Sequence, residues 1–430
     1  MPYPTSPRYP STKNDPTPLS DPLTFPFSKR TAPNRLMKAA TSEHLATYSP
    51  PSSSSSSSYD DDNGIPKPEL INLYSRFARG GWGQIVTGNI MITPSSLEGP
   101  GNAVIPPSSP FSGPRFAAFA DLAEAGKSGG GIFVAQLSHP GRQGHGDDLI
   151  SASAVQLSSE TGMGTFAMPR AATKKDIRDV VEGFAFAAEY CERCGFDGVQ
   201  LHAAHGYLLA QFLSGTTNKR TDEYGGEDVR NRARLVLEIA KAIKERVSPG
   251  FVLGVKVNSV EFQDGGGFTP DEAVALCRAL EGAGFDYVET SGGTYECFAF
   301  EHRKESTVRR ENYFIEFAEE IAKAVDRMKV YTTGGLRTVG GMLSTLEAVD
   351  GLGFGRVAVQ EPDFAKDVLE GRVTGAIRCA IPEKDFPLQM AASSVVLQRI
   401  GHGEEPVDLS DPEVVKEVLA KVAELMGKSS

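Results

Sequence analysis

The chain is poor in cysteine and tryptophan, with five of the former and one of the latter in 430 residues. An odd, sparse set of thiols suits a reducing compartment better than a disulfide framework. No apolar run approaches the ~20 residues that a membrane helix requires. Residues 1–21 are rich in Pro, Ser and Thr and lack the apolar core of a signal peptide. No block of five or more basic residues occurs and the formal net charge is -11, which argues against nucleic acid or an anionic membrane as the main partner. The expectation is a soluble, cytoplasmic protein that acts on a small molecule and is open to forming a homo-oligomer.

What is present is an apolar content of 40%, ample for a large core, spread over three zones. Residues 1–33 are Pro-rich and aperiodic, and read as an N-terminal arm. Residues 34–370 alternate strand-like and helix-like patterns. Residues 371–430 read as a C-terminal helical extension, because Val414, Val415, Val418, Leu419, Val422 and Leu425 recur at spacings of three and four. The middle zone holds eight strand-like runs: Arg35–Ala40, Gln84–Ile92, Gly131–Ser138, Gly198–His202, Val252–Asn258, Tyr287–Thr290, Lys329–Thr333 and Gly351–Gly355. Helical patterns lie between them, notably Asp176–Cys194, Asp228–Val247, Pro270–Ala283, Tyr313–Arg327 and Val339–Val349. Eight such alternations predict an α/β protein with a (β/α)₈ TIM barrel. A doubly wound open sheet is the alternative, since periodicity does not reveal whether a parallel sheet closes. Residues 49–63 carry seven consecutive serines, Ser52 to Ser58, followed by three aspartates. This composition buries nothing and is expected to be a disordered insertion. The loop 139–173 is long, rich in Gly and Ser, and placed after the third strand, where a lid or a substrate wall is expected.

The chemistry concentrates after the fourth run. His202, His205 and Tyr207 follow a short buried strand directly, at the strand end where α/β proteins carry their active sites. Two histidines three apart invite a metal reading, but Gly206 and the strand context argue against a shared helical face, and no HExxH motif occurs. Paired imidazole N–H groups suit a carbonyl oxygen better, with the tyrosine as proton donor to carbon. Hydride then has to come from a cofactor, because no side chain supplies one. Gly334-Gly335-Leu336-Arg337 after run seven and Gly353-Phe354-Gly355-Arg356 after run eight are placed to cradle a phosphate. No GxGxxG follows an early strand, so a Rossmann-bound dinucleotide is not indicated.

The run from His202 to Leu213 with Asn218–Gly226 and Asn231-Arg232, together with Asn34-Arg35-Leu36, Trp82, Gly88, Gln136–Arg142 and both glycine loops, resembles the old yellow enzyme family of FMN-dependent ene-reductases. The resemblance runs from Asn34 to Phe364. It implies FMN and NAD(P)H as cofactors and reduction of the C=C bond of an α,β-unsaturated carbonyl compound, an enone. It implies that His202 and His205 bind the carbonyl oxygen and that Tyr207 protonates the α-carbon. Gln136 would meet the flavin pyrimidine edge, and Gly88 would lie near it on the second strand. Ala40 and Thr41 would line the flavin through backbone, with Ser42 at the position that tunes it. Gly335, Gly355 and Arg356 would hold the phosphate. Lys256 stands where the family commonly has an arginine, and would act as a point charge rather than a planar fork. Arg220, Asp222, Tyr224 and Arg232 read as braces of the loop behind the site. Tyr295, Phe298 and Phe300 are candidates for shaping the substrate pocket. A flavin-binding protein of this fold with little turnover, acting as a sensor or in assembly, is the alternative function.

Overall fold

The computed structural model describes residues 5–50, 62–145, 148–157, 166–259, 269–293, 312, 314–383 and 385–427. The serine run and the three pocket aromatics at 295, 298 and 300 lie outside them. Eight parallel strands close on themselves: β1 (Leu36–Lys38), β2 (Gln84–Met91), β3 (Ile132–Ser138), β4 (Gly198–Ala203), β5 (Val252–Asn258), β6 (Tyr287–Ser291), β7 (Lys329–Thr333) and β8 (Gly351–Phe354). Each pairs with its successor, and β8 pairs with β1, Leu352 opposite Leu36. The sheet is therefore a closed barrel, and the open-sheet alternative falls. Every expected strand is present, with no end shifted by more than two residues.

The crossovers are α1 (Pro68–Ala78), α2 (Gly113–Lys127), α3 (Lys174–Cys194), α4 (Leu208–Leu213), α5 (Arg234–Lys244), α6 (Pro270–Gly282), α7 (Ile315–Ala324), α8 (Val339–Leu346), α9 (Arg356–Gln360) and α10 (Phe364–Leu369). Local chemistry sets several ends. Thr269 caps α6, with Pro270 at the first helical position and Glu272 closing a capping box. Thr173 and Asp176 do the same for α3, which stops where Gly195 turns left-handed at φ 96°. The pattern expected as one helix from Asp228 is broken at Ala233 into a single turn, Val229–Arg232, and α5.

The pleat sorts the strand residues between two cores. Alternate residues face the helical layer, where a large apolar cluster includes Tyr74, Phe77, Phe119, Phe184 and Leu201. Those facing inward build a smaller plug from Met37, Val86, Val134, Val252, Tyr287 and Tyr331. The N-terminal arm completes that plug. Its hairpin, Leu23–Thr24 paired antiparallel with Thr31–Ala32, brings Phe25 to stack on Tyr287 at 5.5 Å. The Asp286 carboxylate accepts from Phe27 N and Ser28 N, both at 2.9 Å, and pins the turn.

The C-terminal extension forms α11 (Phe386–Gly401) and α12 (Pro412–Gly427). Helix α11 lies on α1, with Asn72 Nδ2 donating to Gly401 O at 3.2 Å, and Gln398 Nε2 donates to Glu43 O at 3.2 Å. Among the described residues no helix is long and apolar enough to cross a membrane. Because Phe25 is fully buried and closes the barrel floor, Phe25→Ala should cost about 3–5 kcal/mol of stability, read as a fall in the denaturant midpoint.

Candidate active site

The inward face becomes polar towards the carboxyl ends of the strands. Residues two apart on each strand point the same way, so Gln136 and Ser138 on β3 align with Gln200 and His202 on β4, Lys256 and Asn258 on β5, and Glu289 and Ser291 on β6. The register carries one inward face from strand to strand: Gln136 lies opposite Gln200, and Lys256 opposite both His202 and Glu289. Strand β2 joins through an irregularity between Val86 and Asn89. One extra residue there lets Val86 face inward in the plug and Asn89 face inward in the site, three positions on.

The lower polar layer is a closed network. Gln136 Nε2 donates to Gln200 Oε1 at 2.6 Å, and Gln200 Nε2 donates to Glu289 Oε2 at 2.8 Å. Thr333 Oγ1 donates to Glu289 Oε1 at 2.7 Å. Lys256 Nζ lies 3.0 Å from that same Oε1, with both side chains buried. Lys256 is thus half of a buried ion pair rather than the lone cation expected of it.

Above this layer stands the expected trio. Residue 205 takes a left-handed φ of 56°, and its N–H donates to Asn258 Oδ1 at 2.9 Å, which turns its ring back over the strand end. His205 Nδ1 is then 3.0 Å from His202 Nε2, and His205 Nε2 is 3.0 Å from Ser291 Oγ. His202 Nδ1 meets Asn89 Oδ1 at 2.7 Å and Ser138 Oγ at 3.3 Å. The Tyr207 ring lies 4.2 Å from the His202 ring, and its hydroxyl is 3.3 Å from Asn89 Nδ2. The two imidazoles therefore touch one another instead of aiming separately at one point. Burial, with Lys256 adding to it, holds both rings well below the usual histidine range, so they are neutral. Among the described residues no Cys, Asp or Glu completes a metal set with them.

The remaining expected residues fall into two groups. Ala40, Thr41 and Ser42 follow β1, half-buried. Thr41 Oγ1 accepts from Lys38 Nζ at 2.9 Å, and Ser42 Oγ donates to Glu98 Oε1 at 2.9 Å. Burial among the Tyr74 and Phe77 rings pushes that lysine down to about 8. Gly335 takes φ 90°, and Gly355 caps the N-terminus of α9. A Cβ added to Gly355 would lie 3.9 Å from Thr41 Cγ2, in ordinary van der Waals contact, so the loop after β8 lies beside the loop after β1. The Gln136 amide, the Lys256 cation and the glycine loops are of the residue types that could hold a flavin and its phosphate.

Two assignments sit differently. Gly88 turns to Glu43 and Thr41, its N–H donating to Glu43 Oε1 at 2.7 Å, so that donor is spent inside the protein. Arg356 places its guanidinium over the Phe386 ring at 5.3 Å, against the C-terminal extension. Behind the site, Arg220 forks onto Asp222 and reaches Ala152 O and Ala172 O, while Arg232 Nε donates to Leu213 O at 2.7 Å. This loop is braced as expected. Asn89, Glu98, Ser138, Gln200, Asn258, Glu289 and Ser291 were not singled out from sequence. Ser138, Gln200 and Asn258 follow from stepping by two along their strands from Gln136, His202 and Lys256, whereas Asn89 depends on the irregularity in β2, and Glu289 and Ser291 lie on a strand with no recognised residue. Glu98 has no such signal.

A family model described as "NADH:flavin oxidoreductase / NADH oxidase family" matches residues 48–374. The chain belongs to the old yellow enzyme family. FMN is the flavin of this family and NADH its reductant. A NADH-dependent flavin oxidoreductase of Aspergillus parasiticus is 46% identical over 94% of this chain and 90% of its own length. One from Hypocrea jecorina is 32% identical over 71% of this chain and 77% of its own. Among solved structures, morphinone reductase in complex with tetrahydroNAD matches with a TM-score of 0.65 at 24% identity, covering 83% of this chain and 91% of that one. A 2-naphthoyl-CoA reductase complex matches with a TM-score of 0.75 at 23% identity, covering 92% of this chain and 58% of that one. At such identities the likeness is one of fold.

Two outcomes follow for this family member. Glu289→Gln strips the buried Lys256 ammonium of its counter-charge and should cost about 3–5 kcal/mol, seen in denaturant unfolding. His139, also buried, is held down to about 4 by desolvation. Its folded pKa is depressed, so the unfolded chain binds more protons below about 6.5, and stability falls as pH drops from about 6.5 to about 4 at up to about 1.4 kcal/mol per pH unit for each such histidine. His139 Nδ1 accepts from Gly141 N at 3.0 Å. A His139→Asn variant keeps that acceptor and should show a shallower fall of melting temperature across this window.

Proposed function

We propose that the chain is an ene-reductase that draws reducing equivalents from NADH or NADPH through FMN and saturates the C=C bond of an α,β-unsaturated carbonyl compound. The observation that carries this reading is the juxtaposition of two neutral, mutually bonded imidazoles with the Tyr207 phenol, at the carboxyl ends of β2 to β6. The flavin, when bound, supplies the electron pair that reaches the β-carbon.

The residues supply the rest. His202 and His205 hold the carbonyl oxygen, on which negative charge grows towards the transition state, and N–H donation from the pair favours that state over the ground state. Tyr207 gives its proton to the α-carbon, so the product gains one hydrogen on each carbon of the former double bond. Its ring is fixed against His202, and its hydroxyl lies beside the Asn89 amide. Gln136 would hold the flavin's pyrimidine edge. The Lys256–Glu289 pair would lie beneath it, and Ala40, Thr41 and Ser42 beside it. Gly335, Gly355 and Arg356 would take the phosphate, with Arg356 swinging from Phe386 to do so. The loop 139–173 would wall the substrate side, its Ile150–Ser151 and Arg170–Ala171 segments pairing to keep it folded.

Tyr207→Phe removes the donated proton together with the acceptor 3.3 Å from Asn89 Nδ2. Reduction of the bound flavin by NADH should be unchanged, while reoxidation by 2-cyclohexenone should slow by about 10²–10⁴-fold, followed by stopped-flow absorbance. Equal reoxidation rates in both proteins would remove Tyr207 as the donor. Absence of any enone-dependent NADH or NADPH consumption by the FMN-loaded wild type would remove the function.

A further inference from the structure

Glu98 stands on the loop after β2, half-buried beside the imidazole chain. Its Oε1 accepts from Ser42 Oγ at 2.9 Å and its Oε2 accepts from Asn89 Nδ2 at 2.8 Å. Asn102 Nδ2 also reaches Oε2, at 3.4 Å, and is itself held by Gly99 N donating to its Oδ1 at 2.9 Å. A carboxylate only accepts hydrogen bonds, so the nitrogen end of the Asn89 amide must face it. The oxygen end is thereby directed at His202 Nδ1, 2.7 Å away. An amide oxygen also only accepts, so Nδ1 is the nitrogen that carries the hydrogen of the neutral His202 ring.

The consequence runs on along the chain. With its hydrogen on Nδ1, His202 presents a lone pair at Nε2, and His205 Nδ1–H donates to it across 3.0 Å. His205 Nε2 is then an acceptor, and the Ser291 hydroxyl donates to it. We propose that Glu98 is a positioning residue: by orienting the Asn89 amide it sets which nitrogen of His202 is protonated, and with it the polarity of the chain Asn89–His202–His205–Ser291.

That polarity bears on what the pair can grip. A ligand oxygen entering between the rings meets one donor, His205 Nδ1–H, and one acceptor, His202 Nε2, which suits an oxygen that carries a hydrogen, such as an enol or a phenol. A bare carbonyl or phenolate oxygen gains its second donor only when the His202 hydrogen moves to Nε2. Ser138 Oγ, 3.3 Å from Nδ1, can donate to the nitrogen so vacated, but Asn89 Oδ1 then loses its partner. Glu98 therefore opposes the two-donor form of the clamp. This last step rests on the reading of the imidazoles as the oxygen-holding pair; the wiring itself does not.

The test is the protonation site of His202 in the FMN-loaded, ¹⁵N-histidine-labelled protein. It is read from long-range ¹H–¹⁵N ring correlations, with the His202 signals assigned by their loss in His202→Asn. The expected result is the Nδ1–H form in the wild type, and a rise of at least tenfold in the ratio of Nε2–H to Nδ1–H in Glu98→Ala. An Nε2–H ring in the wild type overturns the proposal, and so does an unchanged ratio in Glu98→Ala. The wild-type spectrum decides alone if Glu98→Ala fails to fold. Absence of enone turnover would remove the proposed function and leave this measurement intact.

Discussion

The site depends on the register of a closed parallel sheet. In a barrel with no edge, a one-residue slip on any strand would turn its inward set outward, and its neighbours would have nowhere to absorb the change. Within that constraint each strand contributes a fixed ration of inward residues, apolar at the floor and polar at the carboxyl end. The irregularity in β2 is the exception that matters. Without the extra residue the two-fold alternation would present Gly88 to the interior and bury Asn89 among the helices. With it, Gly88 fits against Glu43 in the helical layer and Asn89 joins the histidines. The bulge links the packing of α1, through Tyr74 and Glu43, to the wiring of the site.

Much of this was legible before any coordinates. Strands β1 to β8 announce themselves as short apolar runs, and their number points to a barrel, but closure itself is visible only in the pairing of β8 with β1. His202, His205 and Tyr207 stand next to one another in the chain, so their proximity needs no tertiary information. What was hidden was partnership across strands. That Lys256 would pair with Glu289, or Ser42 donate to Glu98, depends on register and on a loop path, and neither is written in the spacing of the residues themselves. Gly88 and Arg356 were placed by motif alone, and the structure directs the first to Glu43 and the second to Phe386. The N-terminal arm shows the same limit. Its composition marks an arm, but only the barrel floor explains why Phe25 is buried within it.

The serine at position 42 illustrates how a motif position can change its meaning. A hydroxyl has one hydrogen, and here it is directed at the Glu98 carboxylate. Ser42 is left as an acceptor towards anything on its other side. Any contribution this residue would make to a bound flavin is therefore coupled to Glu98. Through Glu98 it is also coupled to Asn89 and the histidines, so that one loop carboxylate stands between the cofactor side and the substrate side of the site.

Charge balance makes a related argument at the centre of the barrel. A lone buried lysine would present a full positive charge to the cofactor and would carry a desolvation cost of several kcal/mol. Pairing with Glu289 at 3.0 Å replaces that charge by a dipole, whose influence falls off faster with distance than that of a single ion. The same pairing keeps the ammonium close to His202 and His205, where it adds to burial in disfavouring an imidazolium. The ion pair thus does two things at once. It weakens the field that an electron-rich ring would feel, and it leaves the two imidazoles to act through hydrogen bonds rather than net charge.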